Sequence, residues 1–164
     1  MARLLVVHHS PTPTVQRLTD TVLAGTRDEE IEGVDVVVRP ALEAHAEDVL
    51  SADGVLLGTT ANFGYMSGAM KHFFDTIFLE AGGALSDDGS AAAGAGGLGK
   101  QPWGLFVHGR YDTTGAVRSV ETIVGALPWR QAAPVLEVLG DPTDEQLAAA
   151  YELGATLAAL LTDV

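Results

Sequence analysis

Three short stretches of this chain carry side chains able to do chemistry, and each follows an apolar run. The first is His8-His9-Ser10-Pro11-Thr12-Pro13-Thr14. Hydroxyls at Ser10, Thr12 and Thr14, followed by the free amides of a helix start, suit a phosphate held by neutral donors. No cluster of basic residues stands in this loop, so neutral donors are what it has to offer. Thr12 equally suits a plain helix cap, with Pro13 at the first helical position. The second stretch, residues 59–66, reads Thr-Thr-Ala-Asn-Phe-Gly-Tyr-Met. Asn62 offers donor and acceptor to the edge of a ring, and Phe63 or Tyr65 offers a face for stacking. Gly64 lets backbone approach closely, while Met66 also fits as a plug over the core. The third is His108-Gly109-Arg110-Tyr111-Asp112-Thr113-Thr114. Gly109 permits a sharp exit from a strand, and His108 or Arg110 can stabilise negative charge on a reduced ligand. Asp112 or Thr113 also suits the cap of the helix that follows. Together the three stretches fit a flat, polar-edged, phosphorylated ligand.

Several other chemistries are excluded. The chain has no Cys, so there are no disulfides, thiolate ligands or thiol nucleophiles, and redox chemistry would need a cofactor. The His residues have no partner at a recognised metal-ligand spacing, and the nucleophile elbow G-x-S-x-G is absent. A net charge of -13 argues against an extended nucleic-acid surface, because phosphate contacts need clustered Lys and Arg. That acidity favours solubility and docking to basic partners. No apolar run reaches the length of a membrane span, and no signal core precedes the first strand. A cytoplasmic location is the expectation.

The elements that must position these stretches alternate in type. Short aliphatic runs at 4–7, 34–38, 55–57, 105–107 and 135–139 have little polar alternation, as strands covered on both faces do. Between them stand helical patterns. Val15, Leu18 and Val22 form one face, and Met70, Phe73, Phe74 and Ile77 a second. Val117, Val120, Val124 and Leu127 form a third. A last helix starts at Thr143, whose spacing to Gln146 fits a capping box, and a less regular one falls near 42–50. Ser67 fits the cap of the helix at Met70. This β-α repeat predicts one α/β domain over residues 1–164, a doubly wound five-stranded parallel sheet of order 2-1-3-4-5 with helices on both faces. Ligands in such sheets sit at the strands' carboxyl ends, beside the switch between strands one and three. The segment 81–100, rich in Gly and Ala, reads as a long surface loop, an oligomer contact or a lid.

The string GTTANFGYMSGAMKHFFD at 58–75 resembles the pattern G-T-P-x-x-F-G-x-M-S-G followed by M-K-x-F-x-D of flavin-dependent NAD(P)H:quinone reductases and NADPH-dependent FMN reductases, within the flavodoxin-like superfamily. The matching positions are Gly58, Thr59, Phe63, Gly64, Met66, Ser67, Gly68, Met70, Lys71, Phe73 and Asp75. Ser10 and Thr12 are similar to a flavodoxin phosphate loop. Pro13 stands where Gly is usual there, Val15 where a hydroxyl residue is usual, and Thr60 where the reductases carry Pro. The resemblance implies FMN as cofactor, with Ser10, Thr12 and Thr14 on the phosphate. Thr60, Ala61, Asn62, Phe63, Gly64, Tyr65 and Met66 would cradle the ribityl chain and ring, and His108, Gly109, Arg110, Asp112 and Thr113 would close the other side. It implies hydride transfer from NAD(P)H to the flavin, a quinone or other small acceptor, Tyr65 and His108 as candidates for proton transfer, and a homodimer or tetramer. A non-catalytic electron carrier of the flavodoxin type is the alternative.

Overall fold

The computed structural model describes residues 1–83, 85–88 and 101–162. In chain order these form β1 (Ala2–His8), α1 (Pro13–Thr26), β2 (Val34–Pro40), α2 (Ala46–Leu50), β3 (Gly54–Asn62), β4 (Tyr65–Met66), α3 (Gly68–Ile77), β5 (Gln101–Gly109), α4 (Thr114–Val124), β6 (Trp129–Gln131), β7 (Leu136–Leu139) and α5 (Asp144–Ala159). The sheet order is β2-β1-β3-β5-β6, with β7 also paired to β5 and β4 to β3. Every pair is parallel except β3–β4. The 2-1-3-4-5 order expected from the sequence is therefore present, with its fifth strand divided. β6 lies along Gln101 to Trp103, while β7 lies along Phe106 to Gly109. Pro134 falls between them and has no N–H for the ladder, a position proline takes at sheet edges.

Alternation along the strands sorts the core into two layers. Leu5, Val7, Val55, Leu57, Leu105 and Val107 pack with α2, α3 and α4. Leu4, Val6, Leu56 and Phe106 face α1 and α5. The α3 stripe of Met70, Phe73, Phe74 and Ile77 is buried. α1 and α5 approach so closely that a Cβ on Gly25 would lie 1.9 Å from the Tyr151 carbonyl oxygen, and one on Gly154 2.0 Å from that of Val22. Backbone-to-backbone contact of this kind fixes the axis of α1, and with it where the helix's N-terminus points.

One expectation needs correction. Residues 59–66 were expected to leave the sheet as a loop, but β3 continues through Thr59 and Thr60 to Asn62 before turning back as β4. Thr59 pairs with Val107 and Thr60 with His108, so β5 supports the extension. β-branched threonines suit this pleated surface. The turn is the two residues Phe63 and Gly64, since Ala61 faces Met66 and Asn62 faces Tyr65. Both turn residues have positive φ, 51° and 77°, the requirement of a tight primed hairpin turn. Of the segment 81–100, residues 84 and 89–100 lie outside the described residues, and with them its reading as a loop or contact. Among the described residues no helix is long and apolar enough to cross a membrane.

Candidate functional site

A cleft of ≈ 430 Å³ opens at the carboxyl ends of β1, β3 and β5, lined by three segments: residues 11–15, 60–62 and 108–110. Its place is the switch point between β1 and β3. Thr12, Thr14, Thr60, Ala61, Asn62, His108, Gly109 and Arg110 all line it. Pro11, Pro13 and Val15 line it as well, and none of the three was among the expected site residues. Val15 is buried on the apolar face of α1, and its one signal in the sequence is its place in the phosphate-loop resemblance, where a hydroxyl residue is usual.

The first wall is the start of α1. Thr12 caps the helix, its hydroxyl accepting from Val15 N at 3.4 Å, and Pro13 follows at the first helical position. Gln16 N bonds to the Thr12 carbonyl. Pro13 has no N–H, so the amide this turn can offer to a ligand is that of Thr14. Ser10 turns away from the cleft: its hydroxyl lies 2.7 Å from that of the buried Thr19 and 2.9 Å from Nδ1 of His8. Burial holds the His8 pKa below its ordinary value, the charge of His9 adds to this, and Asp20 opposes it.

The middle wall is the end of β3. Thr60 is 8% exposed and its hydroxyl has no hydrogen-bond partner among the described residues. Leaving a buried hydroxyl unmatched costs about 1–3 kcal/mol, so this atom points to a ligand in the cleft it lines. Alternation puts Thr60 on the α1 side of the sheet with Leu56, and Thr59 on the other. There Thr59 accepts from Ser67 N at 3.1 Å, and Ser67 in turn caps α3 by accepting from Met70 N at 3.1 Å. The turn itself stands clear of the cleft. Phe63 is fully exposed, Gly64 and Tyr65 are exposed, and Met66 is buried in the core with its N–H donated to Ser119 Oγ at 3.1 Å.

The third wall is held from behind by the β7–α5 connection. His108 Nε2 lies 2.7 Å from the Gly140 carbonyl oxygen. A carbonyl only accepts, so Nε2 carries the proton and Nδ1 of the neutral ring is an acceptor. Gly140 has φ 69°, and its own N–H donates to the Gly109 carbonyl at 2.8 Å. Asp112 and Thr113 tie the loop rather than line the cleft. Asp112 Oδ1 accepts from Thr114 N at 3.0 Å, a backbone hydrogen bond that lowers its pKa, and Thr113 donates to Glu137. The Thr113–Glu137 tie is a long-range pairing that no local pattern announces, whereas the Asp112 tie is the local helix-start turn its position suited. Arg110 lines the cleft and makes no ion pair among the described residues. A second hollow of similar size, between residues 133–136 and α5, offers only Glu152 and Thr156 as polar lining. It lacks the convergent polar groups of a ligand site.

No family model matches the chain. It is similar to a protein named flavodoxin from Aquifex aeolicus, 35% identical over 92 residues, covering 56% of this chain and 48% of that protein. It is similar to an NAD(P)H dehydrogenase (quinone) from Acidithiobacillus ferrooxidans, 30% identical over 95 residues, covering 46% of each. The chain thus spans about half the length of the curated relatives it matches. Among solved structures it superposes on a flavodoxin from the domain Archaea with a TM-score of 0.75, covering 97% of this chain and 98% of that one at 16% identity. The chain has the flavodoxin-like fold, and its resemblance to flavodoxins and quinone reductases extends to sequence.

Proposed function

We propose, from that fold, that this protein binds FMN in the cleft between α1, β3 and β5 and passes electrons from NAD(P)H to a quinone or another small acceptor. The observation that carries the proposal is the buried, unmatched Thr60 hydroxyl in a switch-point cleft. The donor set fits the group. Thr12, Thr14 and the Thr14 N–H offer a phosphate neutral donors at a helix N-terminus, and Thr60 stands ready for an oxygen on the connecting chain. Asn62 and the Gly109 backbone suit a ring edge, with Arg110 as the one Lys or Arg among the described lining residues. The cleft volume lies within the range of about 300–1,000 Å³ common for small-molecule sites.

FMN, when bound, supplies the hydride chemistry, which no side chain here performs. The chain's own residues orient and shield. The Gly140 carbonyl holds the His108 ring so that Nδ1 is the nitrogen free to accept a proton. Arg110 offers a positive charge where electron density would rise. Tyr65 stands beyond the turn, outside the cleft lining, and would act on an acceptor rather than on the flavin. Anaerobic turnover of the FMN-loaded protein with NADH or NADPH and a benzoquinone tests the enzymatic reading, and steady consumption is expected. The 35% identical relative named flavodoxin favours a second reading, an electron carrier without turnover of its own. Protein that holds FMN but consumes neither donor would leave that reading standing.

A further inference from the structure

A second cleft, of ≈ 330 Å³, lies across the β3–β4 turn from the first, between Gly64, Tyr65 and the outer face of α4 at Arg118, Thr122 and Ile123. Its floor is rigid. A Cβ on Gly115 would lie 2.0 Å from the Gly64 carbonyl oxygen, so turn and helix meet backbone to backbone. Ser119 beneath is fully engaged, donating to the Ala116 carbonyl at 2.8 Å and accepting from Met66 N. The exposed Tyr65 ring and the half-buried Ile123 give flat apolar sides. Arg118 gives a charge: it is exposed, and its guanidinium makes no hydrogen bond or ion pair among the described residues. Glu121, on the same helix, does not pair with it. In a chain with 22 acidic residues against 9 basic ones, an unpaired Arg beside a ring-sized slot favours an anionic ligand with a flat ring.

We infer that this second cleft takes the adenylate end of the dinucleotide donor, with a phosphate on Arg118 and the base against Tyr65 and Ile123. The turn relates the two sites: Asn62 lines the first, while Gly64 and Tyr65 line the second. A dinucleotide laid across this two-residue turn would reach from the second cleft to the Asn62 edge of the first, where the flavin ring edge is proposed to lie. The inference rests on the proposed use of a nicotinamide dinucleotide, and it has a readout that needs neither turnover nor flavin. Binding of 2′,5′-ADP and of ADP is measured by calorimetry on the intact protein with and without FMN, and FMN uptake is recorded separately. Saturable binding of either nucleotide is expected, weakened at least tenfold in Arg118→Ala and abolished in Arg118→Glu, with FMN uptake unchanged in both. Tighter binding of 2′,5′-ADP would assign Arg118 to the 2′-phosphate, and tighter binding of ADP to the pyrophosphate. Failure of both nucleotides to bind, or equal binding by the Arg118 variants, overturns the inference. If the nucleotides bind to a protein that takes up no FMN, the flavin proposal fails and the nucleotide site stands.

Discussion

The string 58–75 divides into two regions of opposite character. From Ser67 onward, α3 turns Met70, Phe73, Phe74 and Ile77 into the core, with the two phenylalanine rings 5.4 Å apart. The turn before it displays a fully exposed Phe63 at φ 51°. An aromatic residue in the left-handed region costs roughly 1–2 kcal/mol relative to its preferred backbone, and exposure returns nothing to offset this. One half of the string gives the fold its stability, and the other half draws on it. Such a division is expected where a rigid scaffold presents a strained element to a ligand.

Substitutions can break or sharpen that contrast. Phe73→Ala should cost about 3–5 kcal/mol, as removal of a fully buried ring does; urea unfolding measures it, and a loss under about 1 kcal/mol would put Phe73 outside the core. Gly115→Ala should lose less, about 1–3 kcal/mol, because the added methyl must push the Gly64 carbonyl off α4. The same variant should bind ligand more weakly through the displaced turn, which a core substitution in α3 would not do while folded. Phe63→Asn should have the opposite sign and raise the unfolding free energy by up to about 1 kcal/mol, since Asn tolerates positive φ. It should also weaken ligand affinity; a destabilised Phe63→Asn would mean that the exposed ring is not strained.

The smallest effect belongs to the α1 side of the cleft. The native state holds His8 neutral to a lower pH than the unfolded chain does, so as pH falls below about 6.5 the unfolded chain takes up the proton first. Stability should therefore decline with falling pH until the native His8 is protonated as well, and should show no His8 contribution above that range. His8→Gln should flatten this part of the profile. An unchanged slope would assign the pH dependence to other groups.

Much of this was legible in the sequence. The periodicity of Met70 to Ile77, the caps at Thr12, Ser67 and Thr143, and the aliphatic runs all rest on local chemistry, and they were enough to order the sheet. The hairpin was not legible, because Thr-Thr-Ala-Asn has no apolar pattern and Phe at the first turn position lacks the usual Asn-Gly signal. β6, at Trp129–Gln131, is too short to show a period. The site was legible as three segments meeting at one edge of the sheet, the middle one being the end of β3 rather than a loop. Which of their side chains face the cleft was not, since Ser10 is drawn inward by Thr19, Asp112 is used by its own helix, and Thr113 is taken by Glu137. Ser10 and Thr113 are claimed by partners that only the folded chain brings near, whereas Asp112 turns to the amide two residues on, the cap its position already suited.

The assignment of FMN to the cleft rests on the unmatched hydroxyl of Thr60. Titration of FMN into the purified protein, followed by quenching of flavin fluorescence, should give saturation at one FMN per chain. Thr60→Val, which keeps the shape and removes the hydroxyl, should weaken that binding by about tenfold, on the order of 1.4 kcal/mol, while leaving the free protein at least as stable. Wild-type protein that quenches no FMN fluorescence would contradict the assignment of the cleft.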